Sequence, residues 1–101
     1  MHTVKITVLK RMVNQDLVDQ FCVADVTLPC PVFTEGQEFI VEGEEQPEGF
    51  CDSAWDDIYK SFQIVGWGGN FRGWMKDDGT MITCCGDGLR PVVFEVRRID
   101  D

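Results

Sequence analysis

The sequence predicts a single α+β domain spanning residues 1–101, with a mainly antiparallel β-sheet, one strong amphipathic helix at about 53–65, and C-terminal hairpins. Three observations carry that prediction. Apolar residues alternate at Val4, Ile6 and Val8 and again at Val92, Phe94 and Val96, the period of a strand with one buried face. Trp55, Ile58, Tyr59, Phe62 and Val65 fall on one stripe at i, i+3, i+4, i+7 spacing, the period of a helix laid on a core. Two turn sequences, Asp77-Asp78-Gly79 and Gly86-Asp87-Gly88, punctuate the C-terminal third.

Taken in order, Thr3 to Leu9 is the first strand. Lys10 to Phe21 is mixed; Met12-Val13 and Leu17-Val18 support a short helix, with Asn14 and Asp16 offering cap or turn chemistry. Leu28-Pro29-Cys30-Pro31 is an extended connector, because two prolines remove two N–H donors. Glu35-Gly36-Gln37 turns the chain into a second strand, Glu38 to Glu42, with Phe39 and Val41 on one face and Ile40 on the other. An acidic loop, Gly43 to Gly49, precedes the strong helix. Ser53-x-x-Asp56 reads as its capping box, with an acid in place of the usual Glu, and Gly66 as its stop. A glycine–aromatic loop follows to Trp74. The first turn sequence then leads Trp74-Met75 into a strand from Met81 to Cys84. The second leads that strand into Arg90 to Ile99, with the Asp100-Asp101 tail outward.

Composition bounds the function. Hydrophobic residues make up 44% of the chain, with seven Phe and three Trp, so a packed core is expected rather than disorder. The aromatics are numerous for so small a core: either they pack a monomer, with Trp67 and Phe71 folded back onto the core, or Trp67, Phe71 and Trp74 are spare and a homo-oligomer contact buries them. The net charge is -9, and nine acids with no Lys or Arg lie between Glu35 and Asp57. Such a surface repels phosphate, which excludes nucleic acid and anionic membranes as partners. A cationic partner or a metal ion would suit it; the favoured reading is a solvated face that keeps the protein soluble. The N-terminus has no signal-peptide pattern, and no apolar run approaches the ~20 residues of a membrane span. A cytoplasmic protein is expected. Thiols stay reduced there, and the number of cysteines, five, is odd, so a disulfide framework is not expected.

The cysteines are the chief candidates for chemistry. Cys51 stands at the start of the strong helix, where the dipole favours a negatively charged sulfur and the neighbouring Asp52, Asp56 and Asp57 oppose it. Packing of the helix start is the alternative. Cys84-Cys85 sits where a strand meets a turn. Regular pleating puts the two on opposite faces, one in the core and one exposed. An early turn would instead let them ligate a metal together or pair as a labile disulfide. Cys30-Pro31 offers a rigid backbone, and Cys22 reads as core filler. Four thiols from three segments, Cys30, Cys51, Cys84 and Cys85, would suit zinc or iron if they converged.

Other signals are weaker. His2 is the only histidine and sits at the terminus, which argues against a histidine-dependent triad or metal site. Gly66-Trp67-Gly68-Gly69-Asn70 follows a helix, so it is no dinucleotide fingerprint. Asp77-Asp78-Gly79 lacks the remaining ligands of a calcium loop. Arg90 reads as a surface ion pair, or as a positive charge offered to thiolates.

The blocks Val4-Lys5-Ile6-Thr7-Val8, Cys30-Pro31-Val32-Phe33, Gly36-Gln37-Glu38-Phe39, Pro47-Glu48-Gly49-Phe50-Cys51, Ala54-Trp55-Asp56-Asp57-Ile58-Tyr59-Lys60, Gly68-Gly69-Asn70-Phe71 and Cys84-Cys85-Gly86-Asp87-Gly88-Leu89-Arg90-Pro91-Val92 resemble a small family of uncharacterised prokaryotic proteins of about this length, many from anaerobes. The resemblance implies that cysteines at Cys30, Cys51, Cys84 and Cys85 are characteristic and that Cys22 is not. It implies no reaction. The Lys10–Leu28 stretch matches least well.

The expectation is therefore a cytoplasmic protein whose four-cysteine cluster binds a soft metal, zinc or iron, or serves as a thiol redox or sulfur-handling site. The alternative is a non-catalytic scaffold that associates through Trp67, Phe71 and Trp74, with structural cysteines. A substrate-converting enzyme ranks below both, for want of a general base beside a nucleophile.

Overall fold

The alternating segments become strands and the 3.6-period segment becomes a helix, in the order β1 (Val4–Arg11), α1 (Gln15–Phe21), β2 (Glu38–Val41), α2 (Asp52–Gly66), β3 (Thr80–Cys84) and β4 (Val92–Arg98). The computed structural model describes residues 1–100, and the outward placement expected for Asp101 lies outside them. The four strands form one antiparallel sheet in the order β2-β1-β4-β3. The central pair, β1 and β4, runs in register from Val4 opposite Arg98 to Arg11 opposite Val92, with a bulge between Val8 and Lys10. Alternate residues of the strands therefore share one face of the sheet, and α2 packs on it over β1, β3 and β4.

The core is the sum of those faces. Val4, Ile6 and Val8 of β1, Phe39 and Val41 of β2, Met81 of β3, and Val92, Phe94 and Val96 of β4 close on Ala54, Trp55, Ile58, Phe62 and Val65 of α2. Burying each large apolar side chain is worth roughly 1.5–3 kcal/mol. Two core aromatics come from loops instead. Phe33 and Phe50 complete a cluster with Phe39 and Phe94, with ring centroids 5.0 Å apart for Phe33–Phe50, 5.1 Å for Phe33–Phe94 and 4.9 Å for Phe39–Phe50. Edge-on contacts of this kind add to plain area burial.

Four expectations are corrected. Ser53-x-x-Asp56 is not a capping box: the N-cap of α2 is Cys51, with no side-chain cap hydrogen bond. The helix ends at Gly66, but the glycine that turns the chain is Gly68, at φ 91°. There the Gly69 N–H reaches the Ile64 carbonyl at 2.8 Å and the Gly68 N–H the Val65 carbonyl at 3.2 Å, the two bonds of a Schellman ending. Trp74-Met75 forms no strand. Both N–H groups turn back onto the Phe71 carbonyl, and the Asn70 side chain accepts the Gly79 N–H at 2.8 Å, so β3 pairs with β4 alone. Cys22 is no core filler: it ends α1, half-buried, outside the hydrophobic core.

The helix α1 packs on neither the sheet nor α2. It leaves the end of β1 as an arm held mainly by backbone. The N–H of Met12 donates to Pro91 O at 2.7 Å, the N–H of Asn14 to Leu89 O at 2.9 Å, and Asn14 Nδ2 to Gly88 O at 2.6 Å. Asn14 is the N-cap of α1, as read, but its side chain makes no cap hydrogen bond and ties the arm to the β3–β4 loop. The radius of gyration is 14.6 Å, against about 13 Å for a compact chain of this length.

Candidate functional site

Three of the expected cysteines line one cleft at one end of the α2–sheet body. Cys30, Cys51 and Cys85 line an open cleft of about 450 Å³, with Val32, Phe33, Ser53, Ala54, Asp57, Gly86, Asp87, Arg90 and Val92. All three are half-buried and pack against the hydrophobic core.

The aromatic cluster positions them. Phe33, only 2% exposed, is driven into the core three residues after Cys30 and pins the proline-stiffened connector to the sheet. Arg11 holds the same connector from outside: its Nη1 donates to the Cys30 carbonyl at 3.1 Å while its Nε reaches Glu35 at 2.8 Å. That ion pair and backbone hydrogen bonding to Glu35 hold the Glu35 carboxyl below its ordinary range, the backbone bond being the larger cause. Phe50 buries beside Phe33 and delivers the next residue, Cys51, to the N-terminus of α2. The Cys51 carbonyl accepts the Trp55 N–H at 2.9 Å, so the backbone caps the helix and the thiol is left for the cleft.

Cys85 is fixed from β4. Its N–H donates to the Val92 carbonyl at 3.1 Å, and the Val92 N–H donates to its Sγ at 3.3 Å. Together these set the direction of the side chain. Cys84 goes the other way. It stands opposite Val93, whereas the preceding residue, Thr83, stands opposite Phe94, which faces α2. Cys84 is therefore on the uncovered face of the sheet, and it is exposed. Of the four expected site cysteines, the fold brings together Cys30, Cys51 and Cys85 and leaves Cys84 outside. Among the described residues, no three His, Cys, Asp or Glu side chains gather closely enough to hold a metal ion.

The charged residues of the cleft differ in how far they are engaged. Asp87 Oδ1 accepts the N–H groups of Leu89 at 2.9 Å and Arg90 at 3.1 Å, and its Oδ2 accepts Arg90 Nε at 3.1 Å. Partial burial works against its ionisation, but those backbone donors and the guanidinium outweigh it and hold the carboxyl below its ordinary range. Arg90 spends its remaining reach on the Thr27 carbonyl at 3.0 Å, which confirms the ion-pair reading of this residue. Asp57 accepts the Gly86 N–H on Oδ2 at 2.6 Å and has no Lys, Arg or His partner among the described residues.

Ser53, Asp57 and Phe33 are the site residues that sequence reasoning missed. Ser53 was read only as a cap and Asp57 only as a charge opposing the Cys51 thiolate; their spacing of four on α2, which puts them on one face, was the available signal.

The aromatic candidates separate as well. Phe71 folds back onto the core, whereas Trp67 and Trp74 are 62% and 69% exposed. His2 stays at the chain end, with its Nδ1 3.1 Å from Asp100 Oδ1. No helix is long and apolar enough to cross a membrane. Compared with protein-family models, curated proteins and solved structures, the chain matches none.

Proposed function

We propose that this protein carries out thiol chemistry in a reducing, cytoplasmic setting, with Cys30, Cys51 and Cys85 as the working thiols of a thiol–disulfide exchange or sulfur-handling site. One observation carries the reading: three cysteines from distant segments line the same cleft. Neighbouring thiols that can be attacked in turn are what such exchange requires. The cleft, about 450 Å³, is the size of a small-molecule site rather than a cage for a bare ion.

The test is anaerobic purification without chelator, followed by thiol titration and metal analysis on the wild type and four Cys→Ser variants. No bound metal and fast thiols that fall in number in the Cys30, Cys51 and Cys85 variants, but not in Cys84→Ser, support exchange. Thiols in the cleft that react only on unfolding overturn it.

A second reading rests on the same convergence. The three sulfurs would bind zinc or iron, provided they draw closer together and another donor completes the shell. About one metal per chain, with the cleft thiols protected until it is removed, would favour this reading over exchange. A third reading, a scaffold joined through Trp67 and Trp74, is favoured by their exposure. It predicts a concentration-dependent dimer in sedimentation that Trp74→Ala dissociates and the Cys→Ser variants leave intact.

A further inference from the structure

The polar groups of the thiol cleft are not equally available. Asp87 and Arg90 neutralise one another, and Arg90 also serves the Thr27 carbonyl. Among the described residues Asp57 Oδ1 has no hydrogen-bond partner, and the carboxylate is directed by the Gly86 N–H at 2.6 Å on Oδ2. The wall opposite is cut away for it. A Cβ on Gly86 would lie 3.1 Å from Asp57 Oδ2 and 3.3 Å from Cγ, closer than ordinary contact, so glycine at this position lets the carboxylate sit against the Cys85–Gly86 backbone. Ser53, one turn earlier on α2, lines the same cleft. The unneutralised charge beside the thiols is thus negative, on a chain of net charge -9.

We propose that the cleft selects a small disulfide bearing a positive charge, its ammonium or guanidinium seated on Asp57 beside Ser53 and its sulfur presented to the cleft thiols. The proposal rests on the thiol-exchange reading above and adds the substrate class. In the reaction, one cleft thiolate attacks a sulfur of the disulfide R–S–S–R. A protein–S–S–R bond forms, the R–S–S–R bond breaks, and RS⁻ leaves and takes a proton from water. A second cleft thiolate then attacks the protein sulfur of that mixed disulfide and releases the second RS⁻, which is protonated in turn. The protein dithiol is oxidised by two electrons to a disulfide, and the substrate is reduced to two thiols.

Three disulfide reagents of matched size test this: cystamine, which is cationic, bis(2-hydroxyethyl) disulfide, which is neutral, and 3,3′-dithiodipropionate, which is anionic. Exchange rates are measured on the reduced protein, with mass spectrometry to confirm modification at Cys30, Cys51 or Cys85. Each rate is taken relative to that of the same reagent with a free small thiol, because the leaving thiols differ in pKa; on that scale cystamine is expected to react about fivefold faster than the neutral reagent and the anion correspondingly slower, the effect of one unit charge about 4 Å away in water. The ratio should collapse at about 1 M salt, where the screening length is about 3 Å. It should also collapse in Asp57→Asn, an isostere that can still accept the Gly86 N–H, but not in Glu45→Gln, which makes the same change in net charge on the acidic loop. Equal relative rates for the three reagents, or equal loss of selectivity in Asp57→Asn and Glu45→Gln, would overturn the proposal and leave the thiol reading standing. Failure of all three to modify the cleft cysteines would remove both.

Discussion

Cys85 and Cys22 are both half-buried thiols near the end of a regular element, yet only one belongs to a site. Cys85 follows a strand whose neighbour supplies both a carbonyl and an N–H to hold it, and it packs on the hydrophobic core. Cys22 ends a seven-residue helix that packs on no other regular element. The comparison extends to the regions around them. The body, α2 on the sheet, fixes its loops through buried aromatics; the arm, α1 and the chain after it, leaves Phe21 and Val23 70% and 71% exposed. A thiol becomes a directed group when the fold spends core side chains on the segment that carries it. In this chain Phe33 and Phe50 serve Cys30 and Cys51 in that way.

The sharpest break of this comparison is Phe33→Ala. It removes a fully buried ring that touches Phe39, Phe50 and Phe94. The expected loss is about 3–5 kcal/mol in urea unfolding. Native-state alkylation at Cys30 should rise with it, because the connector loses its anchor. A loss under about 1 kcal/mol with unchanged labelling would mean that Phe33 does not hold the cleft together.

Gly68→Ala comes next. Its φ of 91° is a conformation that side chains avoid, and it closes the end of α2 far from the cleft. The expected cost is about 1–2 kcal/mol, with rates of thiol modification unchanged. That separates damage to the body in general from damage to the site.

The parts of the fold with a strict period were legible: β1, β2 and β4, their inward residues, and the buried stripe of α2 all follow from alternation or i, i+3, i+4 spacing. The opposite facing of Cys84 and Cys85 was only one of two readings, because β3 ends at Cys84 and the pairing of Cys85 with Val92, which excludes an early turn onto one face, has no sequence signal. The convergence of Cys30, Cys51 and Cys85 was not legible. It depends on two loop phenylalanines entering the core, and loops have no period to reveal which side chain turns inward. Trp74-Met75 was misread because Asp77-Asp78-Gly79 carries the same turn chemistry in a loop as in a hairpin. The Phe71 carbonyl takes the N–H groups a strand would have needed. Ser53 was misread because the cap falls two residues earlier, at Cys51, which leaves Ser53 in the first turn of α2 and lining the cleft.

A smaller effect distinguishes the cleft loop from its surroundings by pH. Asp87 is held below its ordinary 3.8 in the folded protein, so the unfolded chain takes up its proton first as pH falls. Its contribution is complete above the unfolded value and is lost as pH drops through the folded one. Because the side chain is about one-third exposed, at 34%, the expected contribution is no more than about 1 kcal/mol. Asp87→Asn should flatten the stability profile below about pH 4 relative to wild type, read from urea midpoints at several pH values. An unchanged profile would mean that the loop is held by its backbone pairing to β4 and owes nothing to this carboxylate.

The smallest expected effect is on the arm. Phe21→Ser should shift the urea midpoint by an amount equivalent to no more than about 0.5 kcal/mol, because the ring contributes to no core that unfolding would expose. The measurement is best made at two protein concentrations tenfold apart. A chain that folds alone gives the same midpoint at both, and the arm is then the dispensable region the comparison makes it. A larger loss that grows with concentration would mean that a second copy covers Phe21 and Val23 in solution. The two regions would then differ in what buries them, the molecule's own sheet for the body and a partner for the arm.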